Sequence, residues 1–144
     1  MAVYPPLLSL ADEAAYRFHF ENLYCRGAVM THDGMTVRFR KTDFDHCFFE
    51  STRRDLVKDK FSDIRAERME WIAVALQDTA VQRFQGWDRD TRKYDKNRRV
   101  TLVCGNYVVV IGISSPTSAR FITAYVADTP STLAKLKTSP KWTP

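Results

Sequence analysis

The stretch Ala119-Arg120-Phe121-Ile122-Thr123-Ala124-Tyr125-Val126 decides how this chain folds, because it closes a long run of strand-forming sequence. Before it come Val100-Thr101-Leu102-Val103-Cys104, a Gly105-Asn106 turn, and Tyr107 to Ile113, nearly continuous in β-branched and aromatic residues. Such residues fit a pleated, half-buried surface. Ser114 to Ser118, with Pro116, makes the second connection. The result is a three-stranded antiparallel meander. Strict alternation along the closing strand puts Phe121, Thr123 and Tyr125 on one face and Ile122, Ala124 and Val126 on the other. The second set is wholly apolar and is assigned to the core. The first is assigned outward, where a hydroxyl, a phenol and the flanking Arg120 form a surface suited to phosphate.

Working upstream, the pattern turns helical. Apolar positions from Leu7 to Phe20 fit an amphipathic helix with Ser9 or Asp12 as cap. Ala28 to Met30 and Thr36 to Arg40 flank Thr31-His32-Asp33-Gly34, a hairpin signal. Two helices are expected next. The first runs from about Phe44 to Lys58 behind Thr42 or Asp43, and the second from Ser62 to about Leu76, with Asp63 favourable to the helix dipole. Val81 to Trp87 reads as a short strand, Asp88 to Asn97 as a polar loop, and Ser131 to Lys137 as a terminal helix. Helices first and a meander last describe an α+β fold.

Length and composition narrow the function classes. The 144 residues suggest one domain over 1–144, and the 44% apolar content is not that of a disordered chain. No apolar run approaches the ~20 residues needed to cross a bilayer. Asp12, Glu13 and Arg17 interrupt the first apolar stretch, unlike a secretory signal. A soluble, cytoplasmic protein is the expectation. The net charge of +5 favours polyanionic partners, nucleic acid before membrane. Cys25, Cys47 and Cys104 form no zinc pattern, and their odd number argues against a disulfide framework. No metal and no cofactor are expected.

The chemistry-bearing residues fall into two groups. In Phe44-Asp45-His46-Cys47-Phe48-Phe49-Glu50, a helix makes His46 and Glu50 i,i+4 neighbours, so the carboxylate orients the imidazole. Arg53 and Arg54 follow within reach of an anion held near His46. Lys58, Lys60 and Arg65 surround the break between the two helices. Arg65 falls in the first turn of the second, where a cation opposes the helix dipole. That small penalty points to a task, unless Arg65 pairs with Asp63 or Glu67. Metal-free RNA cleavage needs a base for the ribose 2′-OH, an acid for the departing 5′-oxygen, and donors for the phosphorane. His46 can serve as base or acid, Arg65 and Arg120 can stabilise phosphate, Thr123 can donate to it, and Tyr125 can donate or stack on a base.

Taken together, Val37-Arg38-Phe39-Arg40, the His46 segment, Lys58-Asp59-Lys60-Phe61-Ser62, Arg65-Ala66-Glu67-Arg68-Met69-Glu70-Trp71-Ile72 and Arg120-Phe121-Ile122-Thr123-Ala124-Tyr125 resemble the phage-associated branch of the barnase–EndoU–colicin E5/D–RelE (BECR) nuclease superfamily. The resemblance covers roughly residues 20 to 128. It implies N-terminal helices packed on an antiparallel sheet of about four strands, with the active site on the open face of that sheet. It also implies a metal-independent endoribonuclease of phage or mobile-element origin, toxin-like, acting on tRNA or other RNA. Matching motifs carry over His46, Arg65, Thr123 and Tyr125 as catalytic positions, with Lys58, Lys60, Arg120 and Arg54 as substrate-binding cations. RNA and an inhibitor or immunity protein are the partners expected. Two rival readings stand beside this one. A nucleic-acid-binding module would keep the basic surface without turnover, and a protein-interaction accessory would expose Trp87 or Trp142.

Overall fold

In the computed structural model of the chain, residues 3–50, 60–88, 92–94, 99–127 and 129–142 are described. The fold is α+β, built on a six-stranded sheet in the order β1-β2-β10-β9-β8-β5. Its strands are β1 (Val29–Met30), β2 (Thr36–Arg38), β5 (Gln82–Gln85), β8 (Arg99–Cys104), β9 (Tyr107–Ser115) and β10 (Ser118–Val126). The expected meander is β8–β9–β10, and the expected hairpin is β1–β2. Two further ribbons pair β3 (Phe49–Glu50) with β4 (Lys60–Phe61) and β6 (Trp87–Asp88) with β7 (Lys93–Tyr94). The sheet is therefore larger than the four strands expected, and it is mixed, because β2 runs parallel to β10. The hairpin and β5 add themselves to the two sides of the meander, which local sequence patterns do not encode.

The helices before β5 cover one face of this sheet. Asp12 caps α1 (Glu13–Phe20) by accepting from the Ala15 amide, and the helix continues as a π-turn over Glu21–Cys25. It starts later than the apolar pattern predicts. Residues 7–10 are not helical, and Leu8 and Leu10 are instead held by Tyr16, whose hydroxyl donates to the Leu8 carbonyl and accepts from the Leu10 amide. The helix expected over residues 44–58 is also shorter, α2 spanning Asp43–Phe48. The Phe48 carbonyl accepts from the Ser62 amide, so the chain leaves the helix and pairs as β3 with β4, Phe49 opposite Phe61.

Ser62 caps the next helix as expected, its hydroxyl accepting from the Arg65 amide, but that helix is divided. α3 (Asp63–Ala66) and α4 (Trp71–Gln77) are separated by a turn. Buried Tyr24 is the physical reason. Its hydroxyl donates to the Met69 carbonyl at 2.6 Å and accepts from the Ala73 amide at 3.3 Å, so it occupies the place of a helical i→i−4 bond. A side chain inserted into the ladder breaks a helix in this way.

The core lies between these helices and the sheet. Phe20 is its hub, making edge or tilted contacts with Tyr24, Phe39, Phe44, Phe48 and Phe121. From the sheet come Val37, Val100, Leu102, Val109, Ile111, Ala119, Phe121 and Ala124. Residues 140–142 lie along the outer edge of β5, where the Gln85 amide donates to the Pro140 carbonyl and the Trp142 amide to the Arg83 carbonyl. This covers an edge that would otherwise be open to pairing. Thr129 caps the last helix, α5 (Pro130–Lys137), which includes the expected span. Among the described residues no helix is long and apolar enough to cross a membrane.

Candidate functional site

The closing strand does not alternate as its sequence predicts. Phe121 pairs with Ile111 and Thr123 with Val110, leaving Ile122 as an extra residue in a β-bulge. Two residues then oppose one, and the parity of the strand changes at that point. Phe121, expected outward, is fully buried and stacked on Phe39 at 4.8 Å. Ile122, expected in the core, is buried but outside the main cluster, against Gly112, where an added Cβ would meet its Cδ1 at 3.2 Å. Ala124 and Val126 pack on the core as expected.

The bulge has a chemical consequence. Arg120 and Thr123 are three apart, and on a regular strand they would point to opposite faces. With one extra residue between them, Arg120, Thr123 and Tyr125 all lie on the face away from the helical core. Directly paired residues share a face, so the registers map its neighbours. Arg120 stands opposite Gly112 on one side and Arg38 on the other, and Gly112 stands opposite Arg99. The next row is Thr123, Val110, Thr101 and Phe84, and the next is Tyr125, Val108, Val103 and Gln82. Over the far part of this face, β7 and α5 meet Thr101 in an open cleft of about 450 Å³ that Tyr94, Thr132, Lys135 and Leu136 help to line.

Beyond the end of β2, α2 packs beside β10. The buried Cys47 thiol donates to the Ala124 carbonyl at 3.4 Å and accepts from the Ala124 amide at 3.3 Å. It thus satisfies backbone groups that β2 is too short to reach. Burial pushes this thiol up to about 11, outweighing the hydrogen bonds from the Ala124 backbone and the Thr123 side chain and the nearby Arg65 charge, which lower it. The Cys47 carbonyl accepts from the Arg65 guanidinium at 3.1 Å. A cation there favours the negative end of α2, although the backbone of the same residue sits in the first turn of α3. The guanidinium carbon then lies 5.9 Å from the centre of the Tyr125 ring. Burial raises the Tyr125 pKa, with Arg65 opposing, so the phenol keeps its proton at neutral pH and acts as a donor.

Arg65 and Thr123 therefore meet at Cys47, Arg65 also reaches the Tyr125 ring, and Arg120 shares the sheet face of Thr123 and Tyr125. Arg65 pairs with neither Asp63 nor Glu67; it is Arg68 that binds Glu67, at 2.9 Å. His46 precedes Cys47 in α2 and is exposed. Its expected i,i+4 relation to Glu50 does not exist, because α2 ends at Phe48 and Glu50 belongs to β3. Lys60 is exposed and stands opposite Glu50 in the ribbon. Arg53, Arg54 and Lys58 lie outside the described residues. Trp142, suggested as an exposed docking residue, is buried with Arg83 over its ring at 5.0 Å. Among the described residues no three His, Cys, Asp or Glu side chains are grouped to hold a metal ion.

Sequence reasoning assigned neither Arg38, Arg99 nor Gly112 to the site. A signal existed for Arg38, which falls between the buried Val37 and Phe39 and so had to point the other way. Comparisons of the chain with protein-family models, curated proteins and solved structures give no match.

Proposed function

We propose that this chain is a metal-independent endoribonuclease of BECR type, cleaving RNA by attack of the 2′-OH to leave a 2′,3′-cyclic phosphate. The observation that carries this reading is the convergence of Arg65, Thr123 and Tyr125 at the edge of β10, with Arg120 added to their face by the bulge. A guanidinium and a protonated phenol supply donors and positive charge where a phosphorane would form, and the Thr123 hydroxyl joins them by turning from the Cys47 thiol to a phosphate oxygen. His46 supplies the proton transfer, as base toward the 2′-OH or as acid toward the leaving 5′-oxygen. tRNA is the first substrate to try.

The test is incubation of labelled tRNA in EDTA with the parent protein and with His46→Ala and Arg65→Gln variants. The reading predicts cyclic-phosphate ends from the parent, no cutting of DNA, and at least a hundredfold loss in each variant. RNA bound but left intact by the parent would instead support a binding module.

A further inference from the structure

Resting on the nucleic-acid reading above, we infer that Arg38, Arg120 and Arg99 form a track for one phosphodiester backbone, crossing the sheet at right angles to its strands. The three stand in one cross-strand row over β2, β10, β9 and β8, with Gly112 filling the β9 position. Three strand spacings make this row about 14 Å long. Arg38 and Arg120 are exposed and Arg99 is half-buried. Among the described residues no carboxylate pairs with any of them, whereas Arg17, Arg40, Arg68 and Arg83 each meet one. Cations held side by side without counter-charge repel one another, and a polyanion removes that cost.

Glycine shapes the row at two points. At Gly112 a Cβ would come within 3.4 Å of Arg120 Nε and 3.2 Å of Ile122 Cδ1, so its absence gives the Arg120 side chain room across β9. At Gly86 a Cβ would lie 2.4 Å from that of Arg99, so only glycine lets the end of β5 approach Arg99 this closely. The row adjoins Thr123 and then Tyr125, placing a hydroxyl and an aromatic ring beside the cations. A positively charged path with an adjacent ring suits a single strand. A duplex would present two backbones, and this face offers one line of cations.

The probe is a 2′-O-methyl RNA oligonucleotide of about 12 nucleotides, which 2′-OH attack cannot cleave. Its affinity is measured against salt concentration for the parent, Arg38→Ala/Arg99→Ala, Arg38→Lys/Arg99→Lys and, as control, Arg26→Ala. Each lost phosphate contact lowers the log–log salt slope by about 0.7. The double alanine variant should therefore lose about 1.4, while the lysine variant and the control stay near the parent. An unchanged slope in the double alanine variant, an equal loss in the control, or no binding by the folded parent overturns the track. Binding with these slopes by a protein that cuts no RNA keeps the track and sinks the nuclease. Cleavage with an unaltered slope in the double alanine variant does the reverse.

Discussion

The two faces of the six-stranded sheet are made from alternate residues of the same strands, yet they obey different rules. On the helical side Val37, Val100, Leu102, Val109, Ile111, Ala119 and Phe121 are all apolar and buried. On the other side the sheet places Arg38, Arg99, Gly112, Arg120, Thr123 and Tyr125 beside a buried patch of Phe84, Thr101, Val103 and Val108. The first face is dictated by removal of apolar surface from water. Beside that buried patch, the second face carries Arg38, Arg99 and Arg120, which meet no carboxylate among the described residues, whereas Arg17, Arg40, Arg68 and Arg83 each do. The apolar residues of the first face should govern stability, and the cations and donors of the second should govern binding and rate.

The largest effect that can break this contrast is on the core face. Phe121→Ala should cost about 3–5 kcal/mol in denaturant unfolding, because the ring is fully buried between Phe39 and Phe20. Thr123→Val and Tyr125→Phe, two and four residues on, should each stay within about 1 kcal/mol of the parent. Comparable losses at Phe121 and Thr123 would mean that the faces are wrongly assigned.

Deleting Ile122 sharpens the comparison next. Without it the strand alternates regularly and every other residue keeps its face, so the protein should still fold. The expected cost is about 1.5–3 kcal/mol, that of losing one buried isoleucine side chain. Failure to fold would show that the bulge shapes the sheet rather than merely shifting its parity.

Cys47 offers a chemical readout where the faces meet. Burial holds its thiol up to about 11, so it should resist alkylation in the native protein at pH 8 and react on unfolding. Rapid native labelling of Cys47, located by mass spectrometry, would place α2 away from β10.

The smallest effect concerns the hairpin at the far edge. Burial works against the Asp33 carboxylate, but hydrogen bonds from Thr31 and Arg83 outweigh it and hold the pKa below the ordinary value. The resulting stabilisation is fully present above the ordinary aspartate pKa of about 3.9 and is lost as pH falls through the lowered value. The stability gap between parent and Asp33→Asn should therefore be constant near neutrality and shrink below about pH 4. A gap that widens on acidification would contradict the sign.

How much of this was legible in the sequence follows the same division. The meander, the β1–β2 hairpin and the Ser62 and Asp12 caps rest on local chemistry, and each stands where its residues indicate. The division of α3 from α4 was not legible, because it depends on Tyr24, more than forty residues away in sequence. Nor was the parallel β2–β10 pairing. The bulge at Ile122 is hidden for a different reason. Phe121 and Ile122 are both apolar, so either can be assigned inward, and only the register with β9 decides. Arg65, Thr123 and Tyr125 follow from their chemistry and the resemblance; in the fold Arg65 and Thr123 both touch Cys47, and Arg65 reaches the Tyr125 ring. The supposed His46–Glu50 pair depended on a helix that ends too soon.

The most direct test of the account is the rate of tRNA cleavage in EDTA by Thr123→Val, measured beside its unfolding free energy. The account predicts a rate at least about a hundredfold below the parent, with stability within about 1 kcal/mol. A parent-like rate from this folded variant would contradict it, because the Thr123 hydroxyl would then have no part in the chemistry.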